Sequence, residues 1–239
     1  MKPWHYDSAQ DLDGSLLDRL RRFPREPDML VYGARSVIAL IIRFWLRLYH
    51  RFEVIGPEAL RTNRPLVMVA NHASHLDTLC LLAALPLRKL HCAFPAAAAD
   101  YFFQNVSRLW IAAVVVNALP FARQAKAGQS LAVCGELLST PGNILIIFPE
   151  GTRSTTGLLQ EFKPGVGALV AGRDVLVVPC YLEGTFAAWP KGKRLPRPRK
   201  VRLIMGEPCN FVSRPNEREE VAAIAEELRA EVMKLAPQG

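Results

Sequence analysis

Cysteine is sparse and scattered. Five residues, Cys80, Cys92, Cys134, Cys180 and Cys209, are far apart and form no CxxC pair. That spacing offers neither a disulfide frame nor a zinc site, and reads as reduced thiols packed in apolar runs of a cytosolic protein. An unbroken apolar stretch of about 20 residues, enough for a simple membrane span, is also missing. The longest hydrophobic segment, 29–49, is interrupted by Arg35, Arg43 and Arg47. This argues against a conventional transmembrane protein but not against membrane contact. Residues 1–28 are charged and lack the apolar centre of a secretory leader. Nothing around Ser74 resembles GxSxG, no P-loop occurs, and Gly165-Val166-Gly167 is too little for a dinucleotide fingerprint. Internal repeats and low-complexity tracts are lacking too.

What remains is a chain of 239 residues, half of them apolar, able to bury one sizeable core. Thirty Lys and Arg against 22 Asp and Glu give a net charge of +8. A basic balance suits a membrane surface, a nucleic acid or a phosphorylated substrate, and by itself does not choose among them.

Four parts follow along the chain. Residues 1–28 read as a polar extension, with Leu12, Leu16 and Leu20 hinting at a short helix stopped by Pro24 and Pro27. Residues 29–50 read as an amphipathic helix. At about 100° per residue, Arg35, Ser36, Arg43, Arg47 and His50 share one sector roughly 120° wide. Tyr32, Val37, Ile38, Ile41, Ile42, Trp45 and Leu48 lie largely outside it. A membrane-interfacial helix has this form; so does a helix packed on the domain with solvated arginines.

Residues 51–239 read as the main domain. Strand-like runs at 52–55, 66–70, 91–94, 114–116, 144–148, 175–179 and 201–205 alternate with helix-like stretches at 77–85, 124–138 and 166–172. This predicts a single α/β layered domain, its mostly parallel central sheet flanked by helices. Val221, Ile224, Ala225, Leu228, Val232 and Leu235 predict a last helix over 215–235 with Pro215 in its first turn. Residues 189–200 (WPKGKRLPRPRK) predict a surface loop between strands.

Two stretches carry chemistry, Asn71-His72-Ala73-Ser74-His75-Leu76-Asp77 and Phe148-Pro149-Glu150-Gly151-Thr152-Arg153-Ser154. Each follows a strand-like run, and ligands of open α/β sheets bind at that edge. On one continuous helix His72 and Asp77 would point about 140° apart, so they meet only if the backbone turns between them. A strand ending at Asn71 and a helix beginning near Asp77 supply the turn. A neutral imidazole can then take a proton from a hydroxyl, while the carboxylate fixes the tautomer. His72 and His75 have metal-ligand spacing, yet no third ligand is evident nearby.

In the second stretch Gly151 permits a tight turn, and Glu150 and Arg153 are expected to project from it. Arginine suits phosphate through its planar fork; Glu150 could bond a substrate hydroxyl or steady the arginines. Standing alone, the pair would be an ordinary surface turn. Lys163 could add positive potential or simply be solvated. Arg123, ending the run Ala118–Ala122, is a second phosphate candidate.

These residues resemble the PlsC-type glycerolipid acyltransferases, best known as 1-acyl-glycerol-3-phosphate acyltransferases. His72 through Asp77 matches the family's HxxxxD block and Phe148 through Arg153 its FPEGTR block; Val175–Pro179 resembles the fourth. The second block departs, with only Phe121 and Arg123 corresponding. The resemblance spans about residues 50–210. It implies transfer of an acyl group from acyl-CoA or acyl carrier protein to a lysophospholipid hydroxyl, with no bound cofactor or metal. His72 would be general base and Asp77 its orienter; Arg123, Glu150, Gly151, Thr152 and Arg153 would bind the acceptor. The expected setting is the cytoplasmic face of a membrane, peripheral or monotopic, on anionic lipid, with no nucleic-acid partner. Tyr101–Phe103 and Trp110 are further candidate membrane contacts, or core. Two rivals stand beside this: the same chemistry on another lysolipid (lyso-aminolipid, lysophosphatidylglycerol or lyso-ornithine lipid), and a non-enzymatic lipid-binding module.

Overall fold

The computed structural model describes residues 29–98, 117–121 and 127–237. The expected strand at 114–116, the short N-terminal helix, the aromatics Tyr101–Phe103 and Trp110, and Arg123 lie outside the described residues.

The strands are β1 (Glu53–Ile55), β2 (Leu66–Ala70), β3 (Ala93–Ala98), β4 (Leu119–Phe121), β5 (Ile144–Ile147), β6 (Leu176–Glu183) and β7 (Arg202–Met205). They form one sheet in the order β1-β7-β6-β2-β5-β3-β4. Every neighbouring pair is parallel except β6 and β7. Parallel neighbours need crossovers, and among the described residues the helices Asp77–Ala84, Ala127–Leu137 and Gly165–Val170 lie between strands where helices were predicted. The stretch joining β6 to β7 instead loops out and returns, so β7 runs antiparallel.

β2 is central and buried along its whole length. Successive side chains of a strand alternate faces, and β2 divides the core accordingly. Leu66, Met68 and Ala70 pack with Leu46 of α1 (Met29–Tyr49) and with Cys80 and Leu81 of α2 (Asp77–Ala84). Val67 and Val69 pack on the other face with α3 (Ala127–Leu137), α4 (Gly165–Val170) and α6 (Arg218–Lys234). A brief helix, α5 (Thr185–Ala188), follows β6.

Three expected boundaries move. β3 begins at Ala93, because Leu87–Cys92 closes into a 3₁₀ turn. β6 runs on to Glu183, paired with β7 through its last four residues. Pro215 lies before α6, not in its first turn: Glu217 is extended, and its carbonyl accepts the first helical bond from Val221 N at 2.8 Å.

α4 and α6 touch closely at Gly167, where an added Cβ would sit 2.0 Å from the Val221 carbonyl oxygen. Gly167→Ala must therefore push the helices apart. The expected loss is about 1–3 kcal/mol, readable from urea unfolding. A loss below about 0.5 kcal/mol, ordinary for a surface substitution, would show that the close approach is dispensable.

α1 has its expected span, yet two arginines of its polar sector, Arg35 and Arg43, turn toward the domain, while Arg47 stays exposed. Arg35 is buried and donates to Asn117 Oδ1 at 3.2 Å, and Arg43 donates to the Leu85 carbonyl. Asn117 in turn donates to the His91 and Ala93 carbonyls at 3.2 and 3.1 Å, at a positive φ of 54° that Asn tolerates. With Arg35 buried and Arg43 half-buried, the expectation of solvated arginines on a packed helix is corrected for these two, while Arg47 is exposed as expected. Val37, Leu40, Ile41, Phe44 and Leu48 are each more than half exposed. By length and composition, with a mean hydropathy of 1.6, this helix is apolar enough to cross a membrane; Arg35 and Arg43 instead fasten it to the domain.

Candidate active site

β2 ends at Ala70, and the chain there must leave the sheet without orphaning backbone groups. Asn71 solves this with its side chain. Its Nδ2 donates to the Leu182 carbonyl at 3.1 Å and its Oδ1 accepts from Leu182 N at 2.7 Å. The amide imitates one more rung of the β2–β6 ladder while the backbone turns away. His72 emerges on that turn.

The ring of His72 stacks on Phe148 at 4.1 Å, 17° from parallel. Its Nδ1 lies 2.8 Å from Asp77 Oδ2. The same oxygen accepts the backbone N–H groups of Ala73 and Ser74, both at 2.7 Å. Asp77 is fully buried at the start of α2, so its position is set by three donors and the surrounding core. With Nδ1–H donating to the carboxylate, the lone pair sits on Nε2, which has no hydrogen bond among the described residues. The His72 side chain is 21% exposed, enough for an incoming hydroxyl to reach it.

The second stretch clasps the first. Glu150 Oε1 accepts His72 N at 2.7 Å, and Ser154 N donates to the His72 carbonyl at 2.7 Å. Glu150 Oε2 accepts Gln160 N at 3.3 Å, and the side chain is buried. Its carboxylate is thus engaged by the chain's own amides, and the expectation that Glu150 projects to bond substrate or steady arginines gives way to a bracing role. The amides of His72, just past the end of β2, and of Gln160, in the loop after β5, need an acceptor, and Glu150 turns inward to supply it.

Burial pushes the Glu150 carboxyl up to about 7 from an ordinary 4.5; the amides of His72 and Gln160 pull it down, and the charge of Asp77 adds to the rise. The folded chain therefore holds this proton more tightly than the unfolded one, so raising pH from about 4.5 to about 7 removes stability through this group. The melting temperature of the wild type minus that of Glu150→Gln is expected to shrink across that window. A difference that stays flat or grows would contradict the assignment.

Arg153 turns back as well. Its Nη1 lies 2.7 Å from the ring nitrogens of His75, whose ring is 5.2 Å from that of Trp189. Burial and then the Arg153 charge lower the His75 pKa, which keeps a lone pair available to the guanidinium. The two histidines have different partners, Asp77 and Arg153. Ser74 ties this side down: its Oγ donates to the Trp189 carbonyl at 2.7 Å.

Gly151 adopts φ 72°, and Lys163 Nζ lies 2.6 Å from where a Cβ would stand. The left-handed turn is what favours glycine here; Lys163, a flexible side chain, could move aside. Thr152 is exposed beside it. Asn71, Phe148, Ser154 and Trp189 are contributors that the spacing of charged residues did not signal; the strand-end position of Asn71 was the one available hint.

An imidazole at a sheet edge, oriented by a buried carboxylate and flanked by a half-buried arginine, is chemically able to accept a proton through its second nitrogen. Residues 51–183 match the family model described as Acyltransferase. A 1-acyl-sn-glycerol-3-phosphate acyltransferase beta of Homo sapiens is 32% identical over 157 residues, 63% of this chain and 55% of that protein. A 1-acyl-sn-glycerol-3-phosphate acyltransferase of Limnanthes alba is 28% identical over 158 residues, 66% of this chain and 54% of that protein. The chain thus spans about half the length of these curated relatives. The crystal structure of the 1-acyl-sn-glycerophosphate (LPA) acyltransferase PlsC from Thermotoga maritima superposes with a TM-score of 0.63 at 26% identity, covering 87% of this chain and 83% of that one. With more than half its length inside the family model and this architecture, the chain belongs to the PlsC-type acyltransferase family.

Proposed function

We propose that this chain moves a fatty acyl group from acyl-CoA or acyl carrier protein to the free hydroxyl of a lysophospholipid, 1-acyl-sn-glycerol-3-phosphate, giving phosphatidic acid. The observation that carries this is the 2.8 Å contact of His72 Nδ1 with a buried Asp77. The acceptor hydroxyl gives its proton to His72 Nε2 as its oxygen attacks the thioester carbonyl. The tetrahedral adduct collapses, the carbon–sulfur bond breaks, and the proton on His72 passes to the leaving thiolate. Asp77 stabilises the imidazolium formed between these steps. The names of the relatives, which specify the glycerol-3-phosphate acceptor, support the substrate.

In this reading Arg153, with Arg123, Gly151 and Thr152, receives the acceptor's phosphate. The exposed apolar face of α1 rests on the bilayer that holds both lipids, on the cytoplasmic side where the soluble carrier is found. A second reading follows from the Arg153–His75 contact, which already occupies part of that guanidinium: an acceptor poorer in phosphate would need it less.

A panel of lysolipids, offered with acyl-CoA or acyl carrier protein and followed by thiol release and product mass, separates these readings. The expected result is His72-dependent release, greatest with lysophosphatidate, and Arg153→Ala raising the KM of that acceptor more than of the donor. Preference for a phosphate-free lysolipid would favour the second reading. No His72-dependent release with any pair would favour a lipid-binding module.

A further inference from the structure

Between α5 and β7 the chain runs through Trp189-Pro190-Lys191-Gly192-Lys193-Arg194-Leu195-Pro196-Arg197-Pro198-Arg199-Lys200, with six cations and no acid. All six cations are exposed, and among the described residues only Lys200 is paired, with Glu53 at 2.8 Å. In their midst stands Leu195, 78% exposed. A solvated charge run has no use for an aliphatic side chain at its centre.

This loop is held in place. Trp189 Nε1 donates to the Lys193 carbonyl at 2.9 Å, Arg197 N to the Ala188 carbonyl at 2.8 Å, and His50 Nδ1 meets the Arg199 carbonyl at 3.2 Å. Three prolines narrow its backbone freedom further. Its position is equally specific. The Tyr49 hydroxyl donates to the Pro196 carbonyl at 3.1 Å, which sets the loop against the end of α1 where Phe44 and Leu48 are exposed. At its other end the Trp189 carbonyl accepts from Ser74 of the catalytic turn. Phe186, Pro190, Lys193, Leu195 and Arg197 border a groove of about 200 Å³.

We propose that residues 190–200 are a docking surface for the anionic phospholipid headgroups of a bilayer, with Leu195 seated below them among the upper acyl carbons. The inference rests on the reading that this chain works at a membrane, and adds which part of it meets the headgroups and of what charge. Unpaired cations around one aliphatic tip, continuous with an apolar helix face, match a layer of negative charge over hydrocarbon. An acidic carrier protein would match the cations alone and leave Leu195 and the continuity with α1 without a role. Docked here, the loop would hold the His72 edge close to the headgroups of the acceptor.

The test uses the full chain, without donor or acceptor, sedimented with vesicles of phosphatidylcholine alone or mixed equally with phosphatidylglycerol. Each unpaired cation near an anionic leaflet contributes about fivefold in partition. The triple variant Lys193→Ser, Arg194→Ser, Arg197→Ser should thus bind the mixed vesicles on the order of 100-fold more weakly, with phosphatidylcholine binding unchanged. High salt should erase the wild type's preference for the mixed vesicles. Leu195→Asp should weaken mixed-vesicle binding on the order of tenfold, and decides the matter alone if the triple variant melts early. Wild-type binding by Leu195→Asp and by a folded triple variant would overturn the proposal. So would unchanged vesicle binding with a raised KM for acyl carrier protein, which would make the loop a carrier dock. Because binding is read without turnover, a chain that binds through this loop but releases no thiol refutes the acyl-transfer reading alone.

Discussion

Replacing His72 with alanine is expected to lower kcat by on the order of 10³-fold while leaving the melting temperature near that of the wild type. The expectation follows from where the ring sits. Its Nδ1 is spent on Asp77 and its face rests on Phe148, but the braces that shape the turn are backbone groups: His72 N to Glu150 and Ser154 N to the His72 carbonyl. Alanine keeps both. What is lost is the Nε2 lone pair proposed to receive the acceptor's proton. Thiol release should fall with acyl-CoA and with carrier protein alike, since the missing step belongs to the acceptor. Retention of more than about a tenth of the wild-type rate, far above what loss of a general base allows, would remove His72 from the reaction.

Asp77→Asn should be as damaging to turnover and should also cost stability. The wild-type Oδ2 accepts from the His72 ring and from Ala73 N and Ser74 N. An amide in that place can keep its oxygen on the two backbone donors or turn toward the ring, but it presents N–H somewhere donors already converge. If its NH₂ faces the imidazole, the lone pair moves to Nδ1 and Nε2 carries the proton, the wrong tautomer for a base; losses near 10⁴-fold accompany that error in comparable sites. If the oxygen faces the ring, the carboxylate's charge is still missing when the imidazolium forms. Burial adds about 1–3 kcal/mol for any donor left unsatisfied. A variant that melts as the wild type does and turns over within tenfold of it would show that Asp77 neither orients the ring nor holds the turn.

The geometry of this pair was legible in the chain because it depends on local rules. An all-apolar run can be read as a central strand, and a carboxylate five residues after a strand-end histidine must be served by a turn. Glu150 and Arg153 were read as facing outward for an equally local reason: charged residues beside a glycine usually face water. Both turn inward, because the amides of His72 and Gln160 require an acceptor, and because His75, from a different strand end, offers its ring to Arg153. No spacing along one segment encodes an acceptor needed by another. Asn71 replacing a ladder rung for Leu182, 111 residues away, belongs to the same class.

The pattern of residues alone determined the layered α/β class, six of the seven described strands (β4 was not among those expected), the longer helices, the amphipathic character of 29–50 and the turn that pairs His72 with Asp77, since each follows from periodicity or from short-range chain geometry. Tertiary structure alone decided which side of α1 meets the domain. Helical spacing separates arginines from aliphatics but leaves open which set is buried. Burial of the arginines required acceptors at Asn117 and Leu85, supplied by elements that follow much later in the chain. Once those oxygens satisfied the two guanidiniums, Val37, Ile41 and Leu48 were left facing outward, while Ile42 and Trp45 pack against the core.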